Sequence, residues 1–186
     1  MSFHKILVAI DNSPLCPPVF AAALELAQLS KATIRLLHCI SNEIVGEPTV
    51  PMAMETGLPS TFLVNDYQTQ HVLMERWIED GQALLKRYQE ESASHGVLTE
   101  SEYQVGEAGH LLCEVAEDWG ADLVVVGRRG RTGLAEALLG SVSNHVVHHA
   151  PCSVLVIQEL ESDPPVETVT ESSLEAIAPD LRLERS

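Results

Sequence analysis

The sequence predicts an α/β domain built on an open five-stranded parallel sheet with helices on both faces. Two observations carry the prediction. Apolar, β-branched runs alternate along the chain with segments of helical periodicity. The run Asp122 to Val126 (DLVVV) is uncharged after its first residue, as a strand covered on both sides should be. Gly127 stops that run, and a helix-like segment opens behind Gly140 and Ser141.

Taken in order, His4 to Ile10 (HKILVAI) reads as the first strand, and Asp11-Asn12-Ser13-Pro14 as a turn into a helix from Pro18 to Ser30. Thr33 to Ile40 (TIRLLHCI) is the second strand. Ser41 to Asp66 reads as a long loop with Pro48, Pro51 and Pro59, expected to act as a lid or a mobile segment. Tyr67 to Ser94 follows as an amphipathic helix, with Val72, Leu73, Trp77, Leu84, Leu85 and Tyr88 among its apolar positions. Val97 to Val105 is the third strand, Ala108 to Trp119 a helix, Asp122 to Val126 the fourth strand, Ser141 to His149 a helix and Ser153 to Ile157 the fifth strand. The domain is expected to span residues 1–158. The remainder, 159–186, is acidic and interrupted by Pro164, Pro165 and Pro179, which predicts a disordered tail, although Leu174, Ile177, Leu181 and Leu183 leave a short docking helix open.

Composition limits the function. At 186 residues and 45% hydrophobic, the chain can bury one substantial core. Its formal charge of -16 opposes nonspecific contact with nucleic acid or anionic membranes. No apolar run approaches the ~20 residues needed to span a bilayer, and the N-terminus carries no leader-like pattern, so a cytoplasmic protein is expected. Cys16, Cys39, Cys113 and Cys152 are scattered without a CxxC pair, which points to reduced thiols rather than to a disulfide framework or a zinc site.

Against that acidic background, Arg128, Arg129 and Arg131 crowd into the segment after the fourth strand. Guanidinium groups offer a fork of donors to phosphate. Helix N-terminal amides lack internal partners and sit at the positive end of the helix dipole, and glycines let an anion approach them closely. In an open parallel sheet the ligand lies beyond the carboxyl ends of the strands, where strand order reverses. These rules select Asp11, Ile40, Val126 and Gly127 as neighbours of a phosphate held near Gly140 and Ser141. Ile40 and Val126 also suit the core whatever the ligand, and Asp11 also suits a cap on the helix that follows it.

The spacing Gly127, Gly130, Gly140, Ser141 is neither a P-loop nor GxGxxG. It resembles the nucleotide loop of the universal stress protein family, whose ATP-binding members carry GxxGxxxxxxxxxG followed by Ser or Thr. The resemblance runs from KILVAIDNS (Lys5 to Ser13) through Val105 to Gly127 and on to HHAPCSVLVI (His148 to Ile157). It implies a Rossmann-like, adenine nucleotide alpha hydrolase-like fold that binds ATP, or ADP or AMP, together with magnesium. By the same resemblance Asp11 and Ile40 border adenine and ribose, and Val126 and Gly127 line the ribose side. Gly130, Gly140, Ser141, Val142 and Ser143 cradle the phosphates, with Arg128 nearby and Ser141 or Asp11 near the metal. A homodimer through Pro151 to Ile157 is implied too, although Ser153 stands where the family usually has proline.

The function this implies is nucleotide-dependent regulation in a stress response through an unidentified protein partner. Two alternatives stay open: a slow ATPase, with Glu136 inside the loop as a base, and an interaction module without a physiological nucleotide. No HxGH or SGGxD motif is present. His145 and His149 share a helical face, but neither an acid nor a cysteine stands beside them in sequence, so surface histidines without a dedicated metal site are expected.

Overall fold

The structure, a computed structural model, describes residues 2–41, 60–128 and 139–158, the side chains of residues 60–70 excepted. Most of the expected 41–66 loop, together with Arg129, Gly130, Arg131, Glu136 and the tail from residue 159 onward, therefore lies outside the described residues. The elements are β1 (Lys5–Ile10), α1 (Cys16–Ser30), β2 (Thr33–Ile40), α2 (Ser60–Ser94), β3 (Thr99–Val105), α3 (Ala108–Trp119), β4 (Leu123–Gly127), α4 (Ser141–His149) and β5 (Ser153–Ile157).

All pairings are parallel, and the strand order is β3-β2-β1-β4-β5. The chain moves outward from β1 to β3, then returns to the other side of β1 with β4. The switch point thus lies between β1 and β4, whose register pairs Ile6 with Leu123 and Val8 with Val125. Ile6, Leu7 and Val8 are wholly buried at the centre of the sheet. Their alternation builds two cores. Ile6, Val8, Ile10, Ile34, Leu36 and Val125 face α1 and α2, with Phe20 and Tyr88 in ring contact at 4.6 Å. Leu7, Leu37, Val124 and Val126 face α3 and α4 through Leu112, Val115 and Val146.

Local chemistry fixes the ends of these elements. α1 begins at Cys16, two residues earlier than expected, because Pro17 and Pro18 occupy first-turn positions where a missing N–H costs nothing. Lys31 closes the helix in the left-handed region at φ 58°. Glu107 caps α3 by accepting from the N–H groups of Gly109 at 3.3 Å and His110 at 3.0 Å. At the amino ends of the inner strands Asp122 ties β1 to β4: its Oδ2 accepts from the N–H of His4 at 2.8 Å and of Lys5 at 2.9 Å, while its own N–H donates to Lys5 O at 2.9 Å.

Two further boundaries depart from expectation by more than one residue. α2 starts at Ser60 instead of Tyr67, so residues 60–66 belong to a helix and not to the loop. Its apolar stripe is also only partly used. Leu85 and Tyr88 enter the core, whereas Val72 and Leu73 are 62% and 42% exposed. At 35 residues α2 is roughly 50 Å long, well beyond the length of a strand of seven residues such as β3, so one strand cannot cover the whole helix. β3 begins at Thr99, two residues later than expected, after Val97 N–H has bonded to Ser92 O in the turn that ends α2.

Candidate functional site

The carboxyl ends of β1, β2 and β4 open into a cleft of about 660 Å³. That volume suits a mononucleotide-sized ligand. Asp11, Ile40, Val126 and Gly127 all line it, as do Gly140, Ser141, Val142 and Ser143 at the start of α4. The sheet thus brings together residues more than a hundred positions apart at its switch point. Gly127 is small for a local reason, because a Cβ there would stand 3.1 Å from Val19 Cγ2 and 3.4 Å from Leu15 Cβ. A side chain at this position would push on α1.

The N-terminus of α4 has the form an anion site requires. Gly140 is extended at φ -60° and ψ 161°, its carbonyl accepts the N–H of Asn144 at 2.8 Å, and among the described residues no side chain caps the helix. The early amides of α4 therefore keep their donors for whatever enters the cleft. Ser143 is buried, and its Oγ donates to Gly140 O at 3.1 Å, which fixes the first turn. Ser141 is exposed.

Asp11 does not cap α1 directly. Its Oδ1 accepts from Ser13 N–H at 3.0 Å and from Ser13 Oγ at 2.5 Å, closing the turn after β1, and Leu15 occupies the cap position. The carboxylate is thereby held at the mouth of β1. Ile40 is 4% exposed, and its carbonyl accepts Gly106 N–H at 2.9 Å, joining the ends of β2 and β3. Arg128 is not part of the cleft wall. Its N–H donates to Ile157 O at 2.7 Å and its Nη1 to Gln158 Oε1 at 2.7 Å, so it extends the pairing of β4 with β5. Gly130 falls outside the described residues.

Further residues in the wall escaped sequence reasoning. Trp77 and Asp80 reach the cleft from α2, and His38 reaches it from β2, with Nδ1–H donating to Ile10 O at 2.8 Å. Trp77 had been legible only as one position of an apolar stripe. The cap of α3, Glu107, also faces the cleft, and its bonds from the His110 and Gly109 amides hold its carboxyl below the usual range against a smaller opposing effect of burial. Among the described residues of the wall Asp11, Asp80 and Glu107 are acidic, and none is Lys or Arg. Among the described residues, the wall offers an anion helix amides and hydroxyls as donors.

Burial disfavours the thiolate form of both thiols in the wall. Burial, followed by the Glu107 and Glu102 charges, pushes Cys39 up to about 12, and burial raises Cys16 as well. Both stay protonated near neutral pH, where only a thiolate would attack.

Beside the cleft, the packing of α3 on α4 brings Glu107 and His110 against His145. An acidic group does stand next to this histidine, contrary to the expectation from sequence, because its partner comes from another helix. Burial, together with His110 and His149, pushes His145 below the ordinary histidine range.

Comparison with known proteins agrees with this geometry. The sequence model of the universal stress protein family matches residues 2–158. Universal stress protein Sll1388 of Synechocystis is 37% identical over 161 residues, covering 85% of this chain and 99% of the relative. Among solved structures, the protein MJ0577 superposes with a TM-score of 0.70 at 22% identity, covering 87% of this chain and 100% of that one. A universal stress protein family protein from Arabidopsis thaliana with AMP bound superposes with a TM-score of 0.54 at 22% identity, covering 88% of this chain and 97% of that one. Descent and architecture point the same way, and the chain belongs to the universal stress protein family.

Proposed function

We propose that this protein binds an adenine nucleotide in the cleft between β1 and β4 and serves as a nucleotide-dependent regulator in a stress response. The observation that carries the reading is the uncapped N-terminus of α4, Gly140 to Ser143, opening into a cleft at the switch point of the sheet. The AMP held by the Arabidopsis family member supports an adenine nucleotide as the ligand class. In this reading the phosphates lie on the amides of α4, while the base and ribose occupy the part walled by Ile10, Ile40 and Val126.

ATP is the proposed physiological ligand, with ADP and AMP as its shorter relatives. Magnesium would accompany the phosphates, since the Asp11 carboxylate and the Ser141 hydroxyl supply the hard oxygen donors this ion prefers. Turnover, in this proposal, is at most slow. Pairing of two copies through the region Pro151 to Ile157 is part of the proposal. β5 is the last strand of the sheet, and Val154 to Ile157 are only half-buried, as an edge awaiting a partner would be.

Titration of the purified protein with ATP, ADP, AMP and GTP in magnesium buffer tests the ligand class. Saturable binding of the adenine nucleotides at one per chain, with GTP weaker, is expected. Absence of binding by every adenine nucleotide would leave an interaction module instead.

A further inference from the structure

We infer that Glu107, His110 and His145 form a site for a divalent transition-metal ion of the zinc type, next to the cleft but distinct from any magnesium carried by phosphates. One ligand atom from each of the three lies within 4.8 Å of the other two. His110 Nε2 is already 3.8 Å from Glu107 Oε2. Bonds of about 2.1 Å in a tetrahedral site place ligand atoms about 3.4 Å apart, so side-chain rotations of roughly an ångström close the set. Two imidazoles and one carboxylate with an open fourth position match the donor pattern of zinc sites that retain a water.

The surrounding contacts hold these groups in place. Glu107 is fixed by the amides of Gly109 and His110, and a carboxylate oxygen has lone pairs for both an amide and a metal. Gly109 lets α3 come directly onto α4, since a Cβ there would lie 2.9 Å from His145 Cβ and Cγ. The His145 ring lies 4.2 Å from the His110 ring on one side and 4.2 Å from the His149 ring on the other. His149 is anchored in turn, its Nδ1–H donating to His145 O at 2.9 Å. Such outer contacts orient metal ligands in established sites. Three side chains from two helices are thus converged and braced at one point. The inference does not depend on nucleotide binding, since none of the three groups needs the nucleotide to complete it.

The test is a titration of the metal-free, full-length protein with Co²⁺, a spectroscopic stand-in for zinc, followed by displacement with Zn²⁺. The expected result is one equivalent bound, with visible bands of a nitrogen and oxygen site and no thiolate charge-transfer band. Affinity should fall at least about tenfold in His110→Gln and in His145→Gln, and stay unchanged in His148→Ala. His110 is exposed, so His110→Gln keeps the fold and remains decisive even if His145→Gln does not. No stoichiometric binding, a thiolate band, or an affinity unaffected by His110→Gln would each overturn the site. Nucleotide affinity measured without transition metal reads the cleft separately.

Discussion

Gly81 stands directly over the imidazole of His38. A Cβ on Gly81 would lie 2.6 Å from His38 Cδ2 and 3.0 Å from Nε2, and the ring cannot swing away without giving up its bond to Ile10 O at 2.8 Å. A glycine in the middle of a long helix costs about 1 kcal/mol relative to alanine. Here it is what allows α2 to lie on β2 at the rim of the cleft.

Gly81→Ala should therefore destabilise the protein by about 1–2 kcal/mol despite its better helix propensity, because overpacking outweighs the gain. Denaturant midpoints measure this. In the double variant with His38→Ala the Gly81→Ala penalty should vanish or change sign, a coupling that additive effects would not produce.

Asp122 makes stability depend on pH in a defined direction. Its folded pKa is lowered, first by the bond from His4 N–H and then by that from Lys5 N–H, with burial opposing them. A depressed carboxylate stabilises the fold above its unfolded pKa of about 3.9, and this contribution is lost as pH falls through the lower folded value. Asp122→Ala should lower stability by about 1 kcal/mol at neutral pH, given its solvent exposure. The gap between wild type and variant should begin to narrow as pH falls past about 4 and go on shrinking through the lower folded value. A gap of constant size down to pH 3 would contradict the role assigned to the charged form.

The acidic wall should make the proposed nucleotide binding depend on a divalent metal. Asp11, Asp80 and Glu107 line the cleft, so a polyphosphate enters an unfavourable field unless a divalent cation comes with it. Chelating magnesium should weaken ATP at least about tenfold and AMP much less, since AMP brings less charge. Equal losses for both nucleotides would place the phosphates elsewhere.

Gly140→Val tests the approach of phosphate to backbone. With φ at -60° the position accepts any residue, so the variant should fold with an unchanged melting temperature. Its branched side chain would stand at the start of α4, in the cleft wall. Nucleotide affinity should drop by more than about a hundredfold, as a blocked helix N-terminus would require.

Much of this architecture was legible along the chain. DLVVV and KILVAI read as covered strands, and the neighbouring helices follow from their apolar period. The cleft-lining positions of Asp11, Ile40, Val126 and Gly127 follow from one topological rule applied to those strands, those of Gly140 and Ser141 from the start of the next helix, and those of Val142 and Ser143 from the family resemblance alone. What stayed hidden depends on packing between distant elements. His38 alternates along β2 like any other residue, and only α2 lying across it places Trp77 and Asp80 in the wall. Arg128 is selected by composition alone, and the continuing register of β4 with β5, which brings its Nη1 to Gln158, cannot be read from it. The Glu107, His110 and His145 cluster is invisible to sequence spacing, because the crossing of α3 and α4 at Gly109 creates it.

The central claim is that α4 receives the phosphates of an adenine nucleotide, and backbone amide NMR during ATP titration in magnesium buffer reads it residue by residue. The account predicts that the amides of Ser141, Val142 and Ser143, with that of Gly127 across the switch point, shift first and saturate together at one nucleotide per chain. Saturable binding that leaves those amides unmoved while others shift would contradict it.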